Sequence, residues 1–180
     1  MEVVDGVDAD NLSLLDSTGN TVACYYWWNP WGNLPAMWSS DGQGLVEVTD
    51  VSFDQMEGFL LYSNASAAQL KHWGEVLEDD VEDVALNTGY TTLGNPYNKA
   101  LPLENLVPVD AMDADNLSLL DNTGNVVAQY FWWNAFNGLP AMWSTDGLGF
   151  EEAVGVTLNP SEAFLFYSNA SGATLDVTAP

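Results

Sequence analysis

The sequence predicts an all-β protein built from tandem antiparallel β-sandwich-like repeats. Three observations predict it. Residues 1–75 align without a gap on residues 106–180, at a constant offset of 105, with about half of the positions identical. Turn-forming clusters recur roughly every 8–12 residues, the spacing of short strands in sandwiches and barrels. The stretches between them, such as Tyr25-Tyr26-Trp27-Trp28, are of β-favouring composition. The chain therefore divides into a first β repeat (1–75), a connector (76–105) and a second β repeat (106–180).

In the first copy, Leu12 to Leu15 and Thr21 to Trp28 flank Asp16-Ser17-Thr18-Gly19-Asn20. That loop has hairpin length and chemistry, with Gly19 or Asn20 free to take positive φ. The second copy repeats it as Asp121-Asn122-Thr123-Gly124-Asn125. The aromatic run at 25–28 favours strand on both faces, so either both faces are covered or one binds a ligand. Gly58 to Tyr62 and Ala163 to Tyr167 read as buried strands that end at an Asn-Ala-Ser turn. In the connector, the Val spacing of Val76 to Leu86 and the following Asn87-Thr88-Gly89 turn suit a strand better than an acidic helix. Tyr90 to Leu93, a Gly94-Asn95-Pro96-Tyr97 turn and Leu101 to Leu106 follow. The connector occurs once and the common unit twice. If each copy needs a connector, one is missing, and exchange between identical chains does not supply it. Either one copy closes without it, or both copies share one body, or the natural protein is longer. Met1 falls where Leu106 falls, mid-module, which fits a mature form or an excised piece.

Composition narrows the function classes. Hydrophobic residues form 47% of the 180 residues, enough for a sizeable core. Twenty-six acidic residues face two basic ones, Lys71 and Lys99, for a net charge of −24. Nucleic acid is disfavoured, because phosphate contacts need Lys and Arg. Anionic lipid is disfavoured too, and no apolar run approaches the ~20 residues of a membrane span. Divalent cations and high salt are favoured, because they relieve self-repulsion. The single Cys24 excludes an intrachain disulfide. Its counterpart is Gln129, so a partly covered strand position fits it better than a reactive thiol.

Thr88-Gly89-Tyr90-Thr91-Thr92-Leu93-Gly94-Asn95-Pro96-Tyr97 resembles the Gly-aromatic-Asn-Leu-(Val/Ile)-Gly-Asn-Pro-(Tyr/Phe) signature of β-modules in secreted and cell-surface proteins of environmental bacteria. Asp113 to Asp121 and Pro160 to Phe164 match the pieces that typically follow it. Thr91, Thr92 and Ala163 depart from the pattern. The resemblance spans about one module of 105 residues. It implies extracellular or cell-surface, non-catalytic, structural or adhesive material, and it transfers no active site.

Two constellations are candidate sites. Asp8-Ala9-Asp10-Asn11 and Asp113-Ala114-Asp115-Asn116 place two carboxylates on one side of an extended segment. Asp8, Asp10, Asp113 and Asp115 are the oxygen ligands a hard cation such as Ca²⁺ takes, and solvated turn residues are the alternative. Trp27, Trp28 and Trp38, with Trp132, Trp133 and Trp143, could stack on polysaccharide; core or interface packing is favoured instead. The loops Asn29 to Leu34 and Asn134 to Leu139 differ between copies, which argues against a shared ligand site. Asn11, Asn64, Asn116 and Asn169 fit a glycosylation sequon, with turn-forming Asn the default. Catalysis has little support. The single His72 has Val177 as its counterpart, and no Cys/His metal set is available. The expectation is a self-assembling structural β-module with the chain itself as partner, stiffened by Ca²⁺. The alternative is a carbohydrate-binding module, with a carboxylate hydrolase third.

Overall fold

The computed structural model describes residues 1–180 except 17, 19, 54, 55, 67, 72–76, 122 and 161, and the side chains of Glu2 and Lys71 are left aside. His72, Gly19 and the start of the connector at Val76 lie outside the described residues. The protein is all-β, and its named strands pair antiparallel. It divides into two compact units. Unit 1 comprises Met1–Leu15, Asn20–Asp54 and Phe59–Glu75, and unit 2 comprises Asp16–Gly19, Gln55–Gly58 and Val76–Pro180.

Unit 1 holds β1 (Glu2–Val4), β2 (Asp10–Leu15), β3 (Thr21–Trp28), β4 (Met37–Ser39), β5 (Leu60–Tyr62) and β6 (Gln69–Lys71). Four of these form one sheet in the order β4-β3-β2-β5, and β1 pairs with β6. Unit 2 holds β7 (Val81–Ala85), β8 (Gly89–Gly94), β9 (Leu101–Pro102), a 3-10 turn (Leu103–Asn105), β10 (Leu106–Val109), β11 (Asn116–Leu120), β12 (Val126–Trp133), β13 (Met142–Ser144), β14 (Thr157–Leu158), β15 (Ala163–Ser168) and β16 (Thr174–Val177). Its sheets run β13-β12-β11-β15-β8 and β10-β16-β7, with a β14-β9 pair. The acidic stretch at 81–85 is a strand. Asp83 takes a positive φ of 56°, and the β7–β16 register shifts beside it.

The repeat carries register as well as sequence. Leu12 faces Tyr25 and Leu61 as Leu117 faces Tyr130 and Phe166, and Trp27 faces Trp38 as Trp132 faces Trp143. Both first hairpins slip register at the same place, after Leu14 and after Leu119. Asp121 Oδ1 accepts from the Thr123 N–H and hydroxyl and from the Asn125 N–H, which closes the hairpin loop as expected of turn-forming Asp.

The connector builds unit 2. β8 pairs along the whole of β15, β7 pairs with β16, and β9 pairs with β14. Val81, Leu86, Leu93, Tyr97, Leu101 and Leu103 join one core with Leu117, Trp132, Phe164, Phe166 and Leu175. The Gly94-Asn95-Pro96-Tyr97 turn is an anchor. Asn95 Nδ2 donates to the carbonyls of Lys99, Leu158 and Asn159, and its Oδ1 accepts from the Tyr97 N–H. The buried Tyr97 ring then reaches the Asp79 carbonyl with its hydroxyl. Both ends of the buried side-chain amide are used, as burial requires. Residues 56–58 complete the far edge of β8: Gly58 N–H donates to Thr92 O and Gly94 N–H to Met56 O. A Cβ on Gly58 would lie 2.7 Å from the Leu93 carbonyl oxygen, so glycine sets this close approach.

Candidate functional site

The paired Asp residues do not share a side. Ala9 and Ala114, between them, take φ of +66° and +68°, which breaks the alternation of an extended strand. Asp10 and Asp115 are fully buried. Asp10 accepts from Val7 N–H, the Ser63 hydroxyl and Asn64 N–H. Asp115 accepts from Met112 N–H, the Ser168 hydroxyl, and the backbone and side-chain N–H groups of Asn169. Each carboxylate ties the start of the central strand to the Ser-Asn turn 53 residues on. Asp8 and Asp113 are exposed and serve other donors, the backbone N–H groups of Asn29 and Asn134. Among the described residues, no group of three or more His, Cys, Asp or Glu is placed to hold a metal.

The six Trp candidates separate by face. Trp27 and Trp132 point into the core and donate their indole N–H to Asn29 and Asn134 Oδ1. Each meets its partner, Trp38 or Trp143, edge-on at 5.5 Å. Trp38 and Trp143 donate to the carbonyls of Met1 and Leu106. These four are internal or near-internal cross-strand pairs. Trp28 and Trp133 lie on the opposite face, half-buried, and their indole N–H groups are buried without a protein hydrogen-bond partner.

A loop covers that outer face, and sequence reading missed it. It is Ser39-Ser40-Asp41-Gly42-Gln43-Gly44 in unit 1 and Ser144-Thr145-Asp146-Gly147-Leu148-Gly149 in unit 2. A Cβ on Gly42 or Gly147 would come within 3.4 Å of the Tyr26 or Phe131 ring. Gly44 and Gly149 lie on Trp28 and Trp133, where a Cβ would approach the indole to 2.9 and 2.8 Å. Both have positive φ, 72° and 75°, so only glycine meets both demands. Asp146 holds the loop by accepting from the Ser144 hydroxyl (2.5 Å) and the N–H groups of Leu148, Gly149 and Phe150. Asp41 does the same with Ser39, Gln43 and Leu45. The Ser144 hydroxyl above all, then those N–H groups, draw the Asp146 carboxyl down to about 2. Asp41 is lowered for the same reason, chiefly by Ser39. The signal available in sequence was the repeated Trp-Ser-(Ser/Thr)-Asp-Gly-x-Gly.

Beside this loop, the end of β3 and β12 carries a second hairpin. Trp31 and Leu34 exchange backbone hydrogen bonds at 3.2 and 3.0 Å, and Phe136 and Leu139 do so at 3.1 and 2.9 Å. The two-residue turns between them are Gly32-Asn33, with Gly32 at φ 61°, and Asn137-Gly138, with φ of 50° and 83°. The loops that differ in sequence therefore build one shape from two hairpin chemistries. Both display apolar side chains: Trp31 is 80% exposed and Phe136 72%. The covering loop adds Leu45 and Val46 in unit 1, and Leu148 and the 85% exposed Phe150 in unit 2. Such a surface can stack or dock.

Cys24 is a free thiol that donates to Asn11 Oδ1, as Gln129 Nε2 donates to Asn116 Oδ1. Among the described residues, no helix is long and apolar enough to cross a membrane. No protein-family model, curated protein or solved structure matches the chain.

Proposed function

We propose that this chain is a non-catalytic structural module of bacterial extracellular or cell-surface material that assembles with further copies of itself. The observation that carries the reading is the exposed apolar loop end. Trp31 with Leu34 and Phe136 with Leu139 keep the same display although their turn sequences differ. Contiguous exposed apolar surface of this kind marks interaction sites. The charge of −24 opposes association, so cations must accompany it. Calcium enters here as the counterion of an acidic polymer. The resemblance of the Gly94-Asn95-Pro96-Tyr97 turn to secreted modules supports the same setting.

The test is light scattering with negative-stain microscopy, in Ca²⁺ and then in chelator. Ordered assemblies that dissolve in chelator, and that the double variant Trp31→Ser/Phe136→Ser fails to form, are expected. A monodisperse monomer at high concentration with Ca²⁺ overturns the reading. Polysaccharide binding is the second reading, favoured by the same exposed rings. Its stacking groups would be Trp31, Phe136 and Phe150, because Trp27 and Trp132 are internal. Quenching of Trp fluorescence by a polysaccharide panel would support it.

A further inference from the structure

The two units are unequally finished, and the difference lies at one edge. In unit 2, β15 is flanked on both sides, by β11 and by β8. Its register with β8 runs from Ala163 against Gly94 to Ser168 against Gly89, and Tyr90 packs on Tyr167 at 5.0 Å. In unit 1, among the described residues, β5 pairs only with β2, and β6 only with β1. Leu60 and Tyr62 are 40% and 59% exposed, whereas their counterparts Leu165 and Tyr167 are partly covered. An open edge with apolar side chains is a template for another strand.

The core is incomplete at the matching place. A partly open cavity of about 190 Å³ lies within unit 1, lined by Leu12, Tyr25, Trp38, Val51 and Phe53 among others. The counterparts of Trp38, Val51 and Phe53 are Trp143, Val156 and Leu158. In unit 2 the end of the connector reaches these same residues. Leu101 faces Leu158, Leu103 donates its N–H to the Val156 carbonyl, and the 3-10 turn lies against β13. Leu101 and Leu103 are fully buried there. At about 190 Å³ the space in unit 1 is large enough to take an aliphatic side chain. Edge and cavity thus mark the same absent segment, by two independent features.

We infer that unit 1 is an acceptor site for an added connector segment, a polypeptide with the pattern of residues 79–105 supplied by a further module, whose strand pairs with β5 and whose Leu-Pro-Leu end fills the cavity. The recognition mode is strand addition. Main-chain hydrogen bonds supply affinity, and the pocket for alternate side chains supplies specificity. The chain's own connector is already committed to unit 2 by the Asn95 and Tyr97 anchors. A second copy of the same chain in the same state therefore has none to spare. This inference goes beyond the self-assembly reading, because it names a separate junction, to a module whose connector is not already committed.

The test uses a synthetic peptide of residues 79–105, with blocked ends, titrated into the full chain. The chain is kept dilute enough to stay monomeric, so a failure to assemble and a failure to accept the strand are separate results. High salt screens the repulsion between the acidic peptide and the acidic chain. Expected are saturable one-to-one binding by calorimetry and slowed amide exchange at Leu60, Leu61 and Tyr62. A peptide carrying Leu101→Asp and Leu103→Asp should bind at least about tenfold more weakly, a loss of about 1.4 kcal/mol or more. Because only the peptide is altered, chain folding does not enter the comparison. Absence of saturable binding by a monomeric peptide overturns the inference. So does equal binding of the Asp-substituted peptide, or protection that appears at β15 instead of β5.

Discussion

Asp8 and Asp10 stand two residues apart in the sequence and end in opposite surroundings, as do Asp113 and Asp115. The strand period that should put both on one side fails because the alanine between them adopts a left-handed φ. Alanine has no intrinsic preference for that region, so nothing local announces it. Tertiary structure fixes it: the Ser-Asn turns 53 residues on, at Ser63-Asn64 and Ser168-Asn169, hold the buried carboxylates. From sequence, core or interface packing is favoured for the Trp residues as a set, which cannot separate the internal Trp27 from the exposed Trp31, the same residue type four positions on. Asp115→Asn tests the buried role. An amide would present its NH₂ to donors that now meet a carboxylate, leaving one or two of them orphaned in the interior. A loss of about 2–4 kcal/mol in denaturant unfolding is expected, with Asp113→Asn nearly neutral. Equal effects at the two positions would contradict the hydrogen-bond account.

At the scale of elements, the hairpins were readable because turn chemistry and β-favouring runs agree. The connector's strands were readable for the same reason. The loop over Tyr26 and Trp28 was not recognised, because its glycines look like ordinary turn residues until the rings beneath them are placed. Its closure predicts a pH dependence. Asp146 sits at about 2 in the folded chain, below the ordinary carboxylate value near 4. The folded value is the lower one, so the contribution is fully present above about pH 4. It is lost as pH falls from about 4 to about 2. Protection factors at Leu148 and Phe150, taken relative to intrinsic exchange at each pH, should fall across that window, ahead of those of the sheet amides. Ser144→Ala removes the largest cause of the shift and should move Asp146 up toward the ordinary value. A carboxyl-carbon NMR titration reads this directly, and an unmoved midpoint would assign the shift to the backbone N–H groups alone.

For the whole molecule, the sequence posed a stoichiometric question: two copies of a unit and one connector. The connector completes unit 2, through β7, β8, β9 and the leucines that follow. Sequence could not decide this, because the connector adjoins both copies and the choice rests on long-range pairing. The consequence is unequal stability. The buried apolar residues of unit 1 include Val3, Leu12 and Trp27, while unit 2 gathers those of the connector and both its sheets into one core. Counterparts such as Phe59 and Leu61 are only partly covered, where Phe164 and Phe166 are buried. Each fully buried large side chain contributes roughly 1.5–3 kcal/mol relative to leaving it exposed. A handful of such differences exceeds a large part of the ~5–15 kcal/mol that holds a typical domain folded. Scanning calorimetry should therefore resolve two transitions. Hydrogen exchange should assign the lower one to β2–β5 and the upper one to β11, β12 and β15. Salt should raise both by screening the net charge of −24. A single transition with calorimetric and van't Hoff enthalpies equal would mean that unit 1 draws its stability from unit 2, and the open edge at β5 would then no longer measure an unmet need for another strand.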